Sequence, residues 1–410
     1  MKIMSNPVAA LALSAVIVAA ALGGSAPVYS ADKPAVSKVA AKPLKAAQDA
    51  MNAKKYPDAL AKLKEVQALP GKSPYDDHVM NVMLGYIYVK TSQYADAAKV
   101  LEADLDSGFV TAAEVPKKVR ELLQLNYQLK NYDKVIALGD RAAKGGYADD
   151  EIDTWVGQAY YLKGDFKGAA KYIENDVAAQ TKAGKKPKEQ LLVLIQNSCT
   201  RTNDQDCLQR TLERLVSFYP KPQYWQALVD AMYKGGSDQT ILQVYRLATA
   251  VDVLNRASDY TEFAQLALDS GSPGEAQSIL EKGFQKKIFT DAREISKNQR
   301  LLESAKKQVA ASQASLAKAD AEAAAAANGD MDVKIGTAYL GYQQYDKAAQ
   351  AFTRGLTKPG VPDPADARLL LGIAELGAGH KDEAKKAFKQ VKGNPTLERL
   401  ANLWTLHAQA

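Results

Sequence analysis

The two cysteines are the residues whose type and spacing could support covalent chemistry. Cys199 and Cys207 are eight positions apart and flank a predicted turn between two helices, so their side chains could meet. We predict a disulfide that clips this hairpin if the protein is in an oxidising compartment, and two buried thiols are the alternative. Redox catalysis is not indicated, because the sequence has no Cys-x-x-Cys motif.

The remaining residue types give no pattern of a catalytic or metal site. His78, His380 and His407 stand far apart, and none forms a His-x-x-x-His pair or lies beside a cysteine at zinc spacing. The Gly-Lys-Ser sequence at 71–73 resembles the end of a phosphate-binding loop, but Val66 occupies the place of the required earlier glycine. Neither a Gly-x-Ser-x-Gly motif nor an isolated pair of acids in apolar surroundings occurs. We therefore expect no catalytic residues, no metal and no cofactor, and no enzymatic activity.

Composition and charge favour a soluble protein. Of the 410 residues, 47% are hydrophobic and 24% are charged, which is ordinary for a globular chain and argues against disorder or a membrane bundle. The net charge of +6 is mild for this length. Basic residues such as Lys185, Lys186 and Lys188 lie in a predicted loop without interleaved aromatics, so nucleic-acid binding is not indicated.

The N-terminus has the pattern of an export signal. Lys2 precedes an uncharged run at 8–22, and small residues follow up to Ser30. This pattern predicts a signal peptide over residues 1–30, cut after Ser30. The apolar run is shorter than the roughly 20 residues that span a bilayer, so a permanent anchor is the less favoured alternative. We expect a periplasmic or secreted protein with no stable membrane span after cleavage.

A repeated pair of small residues organises most of the chain. Apolar and small residues fall at three- and four-residue steps, which predicts pairs of short helices with one apolar face each. In segment 332–359 the two predicted helices are separated by residues 341–344. The same spacing of twelve between small residues recurs in five pairs: Gly85/Ala97, Gly157/Ala169, Ala264/Ala276, Gly336/Ala348 and Gly372/Ala384. Because neither helix can bury its apolar face alone, we expect hairpins that stack on one another.

These residues resemble the tetratricopeptide repeat (TPR) family, whose signature combines small residues, a tyrosine, a large apolar residue and a closing proline. The copy at 368–395 shows Leu371, Gly372, Ala384, Phe388 and Pro395. The resemblance implies an all-α solenoid of stacked antiparallel hairpins. It also implies a bacterial exported scaffold for protein–protein interaction or complex assembly in the cell envelope.

The chain divides into four predicted parts after the signal peptide. A flexible leader occupies 31–43, a TPR-like array of about seven hairpins occupies 44–284, and a pair of hairpins with a capping helix occupies 330–410. Segment 285–329 has no glycine or proline before Gly329, which favours a single long helix over a degenerate hairpin. Such a helix could act as a spacer or support self-association through 290–327, with ordinary packing as the alternative.

The resemblance also implies a binding groove. In the family, the first helices of successive hairpins line a concave surface that holds a peptide or helix of a protein partner. A carboxylate clamp is not expected, since the matching places hold Val82 and Tyr86. Binding of envelope polysaccharide or peptidoglycan, or a role as an accessory to polymer export, is the alternative, with tyrosines stacking on sugars. The candidate groove residues are Tyr86, Lys90, Arg120, Gln124, Tyr127, Gln158 and Tyr161.

Overall fold

The part of the chain that the structure describes is built from helices. The computed structural model describes residues 34–233 and 237–409, and the signal peptide predicted at 1–30 lies outside them. Twenty α-helices and no strands occur in these residues, which confirms the all-α helical repeat fold. The described chain forms two compact units, the first ending at Thr202 and the second beginning at Asn203. The predicted array at 44–284 is therefore shared between two units.

The first unit is a row of helical hairpins. Helices α1 and α2 pack together, as do α3 and α4, α5 and α6, and α7 and α8, while α9 packs on α8. First helices also touch: α1 contacts α3, and α7 contacts both α5 and α9. Fully buried leucines and alanines fill the space between the layers. The helices are α1 Lys38–Asn52, α2 Tyr56–Ala68, α3 Pro74–Lys90, α4 Tyr94–Leu105, α5 Val115–Gln128, α6 Tyr132–Lys144, α7 Asp150–Lys163, α8 Phe166–Lys182 and α9 Glu189–Thr202.

Folded structure begins earlier than we predicted. Helix α1 starts at Lys38, so the flexible leader predicted over 31–43 is wrong for 38–43. The backbone N–H of Ser37 donates to Oδ1 of Asp76 in α3 over 2.9 Å, and the Ser37 hydroxyl accepts from the N–H of Ala40. Ala40 is fully buried. This start depends on a contact with the next hairpin, and the local sequence does not report such a contact.

The turns inside the hairpins use left-handed residues that are mostly not glycine. The residue after such a position donates its backbone N–H to the carbonyl five residues earlier, as Gln93 does to Tyr88 over 2.7 Å. This is the Schellman pattern that ends many helices. Because lysine or serine occupies the left-handed position, these turns lack the glycine that usually marks them in a sequence. The φ values are +57° at Lys54, +60° at Ser92 and +59° at Lys130.

The recurring glycine of the first helix lies under a large apolar side chain of the second helix. A Cβ atom at Gly372 would lie 2.3 Å from Cε1 of Phe388, and one at Gly157 would lie 2.6 Å from Cγ1 of Ile173. The nearest side chain is thus sixteen positions later, whereas the sequence pattern singled out the alanine twelve positions later. That alanine is also fully buried. The same relation joins Gly85 to Leu101 and Gly336 to Phe352.

Valine at position 372 is expected to destabilise the second unit by about 1–3 kcal/mol, the usual cost of overpacking a core. The added Cβ would overlap the Phe388 ring, which is only 2% exposed and has no free space to enter. Valine is preferred to alanine as the test, because alanine would regain up to about 1 kcal/mol of helix propensity. Urea unfolding of the full chain measures the loss.

The matched control is the double variant Gly372→Val/Phe388→Leu. Leucine is shorter than phenylalanine, so the double variant should lose less free energy of unfolding than the two single losses added together. Strictly additive losses would contradict direct packing of the two residues.

The second unit closes on itself. Helix α20 packs on α18 and α19, as the predicted capping helix should, and it also packs on α10 and α12. Arg399 of α20 pairs with Glu213 of α10 over 2.8 Å. Nε2 of Gln243 in α12 donates to Oδ1 of Asp366 in α18 over 2.6 Å. The helices are α10 Gln205–Phe218, α11 Pro222–Met232, α12 Asp238–Ala250, α13 Ala257–Asp269, α14 Pro273–Gln285, α15 Ala292–Ala325, α16 Asp330–Gly341, α17 Tyr345–Thr357, α18 Pro364–Gly377, α19 Lys381–Lys389 and α20 Pro395–Gln409.

Segment 285–329 contains one long helix and no hairpin. Helix α15 has 34 residues and is therefore roughly 50 Å long. The carboxylate of Asp291 caps its start by accepting from the backbone N–H of Arg293 over 2.8 Å. The helix packs on α13, α14 and α16 and buries Ala305, Leu316 and Ala323. These apolar side chains are buried inside the unit, and self-association through 290–327 remains a prediction.

Candidate functional site

The seven predicted groove residues lie on the first helices α3, α5 and α7 of the first unit, and we call them the first-helix surface. Lys90 is exposed, and the other six are half-buried. Each of these six side chains therefore packs on the unit with part of its surface and leaves the rest for contact with another molecule. The seven are Tyr86, Lys90, Arg120, Gln124, Tyr127, Gln158 and Tyr161.

An ion-pair fork joins α5 to the start of α7. Arg120 pairs with Asp149 and with Glu151, the latter over 2.6 Å. Asp149 also caps α7 by accepting from the backbone N–H of Ile152 over 3.0 Å. The hydrogen bond to Asp149 raises the pKa of Arg120. Burial alone would raise the pKa of Asp149, but the Arg120 guanidinium and the cap bonds lower it instead. Arg120 is thus held in a fixed orientation and keeps its charge.

A hydrogen bond between two predicted residues links the same two helices about two turns further along. The Tyr127 hydroxyl donates to Oε1 of Gln158 over 2.8 Å. The Tyr127 ring lies 5.9 Å from that of Trp155 and 6.2 Å from that of Tyr132, and burial raises the pKa of its hydroxyl. Gln124 is on the same helix, between Arg120 and Tyr127. Arg120, Gln124, Tyr127 and Gln158 therefore lie along the same two helices, and we call these four residues the strip.

The other predicted residues form smaller local pairs. The Lys90 ammonium lies 5.5 Å from the centre of the Tyr86 ring, one turn earlier on α3. Tyr161 packs edge-on against Phe166 with 5.0 Å between the ring centres. These contacts stay within one hairpin each, so they do not extend the strip.

Sequence reasoning missed three residues that support the strip: Asp149, Glu151 and Trp155. Asp149 had a usable signal, because an aspartate just before a helical pattern is a preferred cap. Trp155 had no usable signal, because its contact with Tyr127 depends on how two hairpins stack.

It also missed a buried charge cluster between α3, α4 and α5. Asp104 has no exposed surface, and its carboxylate contacts Nδ1 of His78 over 2.6 Å and Nζ of Lys118 over 2.5 Å. Burial favours the neutral carboxyl, but the bonds from His78 and Lys118 outweigh burial and lower the pKa of Asp104. The histidine that looked isolated in the sequence is a hydrogen-bond partner of this carboxylate. Among residues 34–233 and 237–409, no cluster of three or more His, Cys, Asp or Glu side chains is placed to hold a metal.

Both cysteines are disulfide-bonded and neither is a free thiol. Cys199 lies in the last part of α9 and is fully buried, and Cys207 lies in the first turn of α10 with 4% exposure. Both positions agree with the predicted location on either side of an inter-helix turn.

The C-terminal hairpins match a known repeat family. Residues 333–396 match the sequence model of the tetratricopeptide repeat family. This part of the chain is therefore similar to tetratricopeptide repeats. The match covers α17, α18 and α19 and most of α16, where the glycine contacts with Phe352 and Phe388 occur. Repeats of this kind stack into extended helical surfaces that can bind other molecules.

The solved structures that match the chain do so at low identity and low TM-score. The structure of Naa15/Naa10 bound to HypK-THB has 11% identity and a TM-score of 0.38. The match covers 88% of this chain and 65% of that chain. Yeast Tom70 has 12% identity and a TM-score of 0.26, with 91% and 96% of the two chains covered. The TPR2AB-domain:pHSP90 complex of yeast Sti1 has 11% identity and a TM-score of 0.26, with 73% and 100% covered. Such values bear on neither activity nor partner.

No curated protein matches the chain. Within the described ranges, no helix combines the length and the apolarity that crossing a bilayer requires.

Proposed function

We propose that this protein is an exported, non-enzymatic TPR scaffold that binds a partner protein on its first-helix surface. The observation that supports this most directly is the strip on α5 and α7 formed by Arg120, Gln124, Tyr127 and Gln158. Its tyrosine and arginine are residue types enriched at protein interfaces, and they are half-buried rather than lost in the core.

The strip is also preorganised. The hydrogen bond from Tyr127 to Gln158 and the fork from Arg120 to Glu151 fix side chains that would otherwise lose rotamer freedom on binding. Ordering a flexible side chain costs about 0.5–1.5 kcal/mol at an interface. A partner that docks here therefore meets groups whose ordering has already been achieved by folding.

Crosslinking in cells tests this proposal. A photoreactive amino acid at Gln124 faces the strip without removing the Tyr127–Gln158 bond, and we expect one dominant protein adduct after irradiation. The matched control carries the same residue at Lys99, an exposed position on the second helix α4, and should not give that adduct.

The same experiment separates the scaffold from the polysaccharide alternative. An adduct that migrates with cell-wall polymer would favour sugar binding through tyrosines. Equal protein adducts from positions 124 and 99, or none from either, would contradict a specific protein-binding surface here.

We further propose export to the bacterial cell envelope. The support is the signal-like sequence at 1–30, which lies outside the described residues, and the pair of disulfide-bonded cysteines, since disulfides persist in oxidising compartments. Expressed with its own N-terminus in a Gram-negative host, the protein should be recovered from the periplasm with Ala31 as its first residue. Intact mass after alkylation should show no label on Cys199 and Cys207 unless a reductant is added.

The matched control for this mass measurement is the chain expressed without residues 1–30. It should stay in the cytoplasm, where thiols are kept reduced, and take up two labels. Two labels on the exported protein without reductant would exclude the disulfide, and retention of Met1 would contradict cleavage after Ser30.

A further inference from the structure

One position recurs along the first helices of the first unit and holds a side-chain amide in four of five cases. It lies eight residues before the next helix, since α2, α4, α6, α8 and α10 start at residues 56, 94, 132, 166 and 205. All five side chains at this position are half-buried. Because equivalent positions of stacked repeats lie on the same side of the stack, the five share one face. In chain order they are Gln48, Tyr86, Gln124, Gln158 and Asn197.

Three of these amides, Gln124, Gln158 and Asn197, form what we call the amide ladder. Their helices are neighbours in space, because α7 contacts both α5 and α9. Among the residues that the structure describes, the side chains of Gln124 and Asn197 have no hydrogen-bond partner. Gln158 uses only its oxygen, which accepts from the Tyr127 hydroxyl. The ladder therefore presents two complete amides and one free N–H₂ group to another molecule.

The chemistry of the ladder matches a peptide backbone. A side-chain amide offers N–H donors and a carbonyl acceptor, and each residue of a bound chain offers one N–H and one C=O in return. An anionic ligand is not favoured here, because the neighbouring cation Arg120 is already paired with Asp149 and Glu151. The ladder itself carries no charge. The group that it fits is therefore neutral and has both donors and acceptors.

The spacing of the ladder favours an extended chain. Packed helices lie about 8–10 Å apart, and three residues of an extended polyproline-II-like segment advance about 9 Å. Every third residue of such a segment therefore comes opposite the next ladder position. A bound helix does not fit this chemistry, because its backbone groups are bonded to one another.

We propose that the amide ladder binds the backbone of an extended segment of the partner protein. Gln124 and Asn197 each bond the N–H and the C=O of one partner residue, about six residues apart, and Gln158 donates to a C=O between them. This inference rests on the proposed function, because the ladder lies on the first-helix surface. Backbone groups are the same in most residues, so the ladder itself tolerates many sequences. Proline is excluded opposite Gln124 and Asn197, since it has no N–H.

Peptide selection followed by backbone substitution tests this inference. Random twelve-residue peptides displayed on phage are selected on the immobilised full chain, and the strongest binder is synthesised with a C-terminal amide and a fluorophore. Each peptide bond is then replaced in turn by an ester, which removes one N–H and changes no side chain. We expect two sensitive positions about six residues apart. Fluorescence anisotropy should show about fivefold weaker binding at each, the factor for one ordinary hydrogen bond.

The variants Gln124→Ala and Asn197→Ala assign the two sensitive positions. Each should weaken binding of the parent peptide about fivefold and remove the effect of one ester while keeping that of the other. The matched control is Asn175→Ala, because Asn175 is exposed on the second helix α8, and it should leave binding unchanged. All three variants should stay folded, since alanine favours a helix, and thermal unfolding checks this.

Four results would overturn the inference. They are no sensitive ester position, ester effects that persist in both ladder variants, equal weakening by Asn175→Ala, and a selection that yields no peptide sensitive to Gln124→Ala. Binding of cell-wall polymer that needs Gln124, with no such peptide, would favour the polysaccharide alternative. Failure of the ladder is distinct from failure of the scaffold. A protein adduct from position 124 in cells, together with no ester effect, would keep the scaffold and remove backbone recognition.

Discussion

Replacing Arg246 by methionine is expected to destabilise the second unit by about 3–5 kcal/mol, the range found when one partner of a buried ion pair is removed. The Arg246 side chain is 5% exposed, and its partner Glu275 is 16% exposed. Asp366 is also buried, and the charge of Arg246 acts on it. Methionine would leave the largely buried Glu275 carboxylate without its cation.

Urea unfolding in a Trp155→Phe background measures this loss. Trp155 is the only tryptophan of the first unit, so the fluorescence of that background comes from Trp225 and Trp404, both in the second unit. The midpoint should fall with little change in the slope, because the surface exposed on unfolding stays nearly the same.

The double variant Arg246→Met/Glu275→Met is the control for this prediction. It removes both charges at similar volume, and replacing a whole buried pair by apolar groups is often neutral. It should therefore recover most of the stability lost in the single variant. A double variant as unstable as the sum of the two single variants would show that the pair contributes through packing and not through charge.

Replacing Asp104 by asparagine is expected to destabilise the first unit by about 3 kcal/mol, the lower end of the range for a broken buried pair. The lower end applies because Lys118 and His78, at 17% and 16% exposure, can move toward water. Hydrogen exchange measured by mass spectrometry on peptides from α3, α4 and α5 checks this. Peptides from the second unit serve as the internal control and should be unchanged.

The stability difference between wild type and Asp104→Asn should depend on pH in one direction. The pKa of Asp104 is lowered in the folded protein, so its contribution is fully present above the ordinary carboxyl pKa of about 4. It is lost as the pH falls through the lowered value, because the carboxylate is then neutralised in both states. The difference should thus be largest near pH 7 and shrink below about pH 3. A difference that is constant over this interval would contradict a charge-based role.

Much of the fold could be read from the sequence, because it depends on neighbours that are close along the chain. The pairing of short helices at 330–341 and 345–357 follows from apolar residues at helical spacing, and the long helix over 292–325 follows from the lack of glycine and proline between Gly283 and Gly329. The recurring glycines Gly85, Gly157, Gly336 and Gly372 each lie under a large apolar side chain of the second helix. The pattern did not identify the residue that each glycine contacts. Residues twelve and sixteen positions later both lie on the side of the second helix that faces the first.

The candidate site was predictable to the level of the helix face. Tyr127 and Gln158 were assigned to the same surface from their places in successive repeats, and they are bonded to each other. The fork from Arg120 to Asp149 and the ring contact with Trp155 were not predicted, because they depend on the offset between neighbouring hairpins. Periodicity gives the direction of a side chain, but it does not give its distance to the next hairpin.

By itself the sequence determined helices and hairpins, since these are set by residues within about forty positions of one another, and its part at 333–396 resembles a known repeat family. Only the tertiary structure decided that the second unit closes through Arg399 and Glu213, and that Gln243 bonds Asp366 across 123 positions. It also decided that the buried charges of Arg246 and Asp104 lie beside their partners. Such contacts depend on the sum of small rotations between successive hairpins, and no local pattern records that sum.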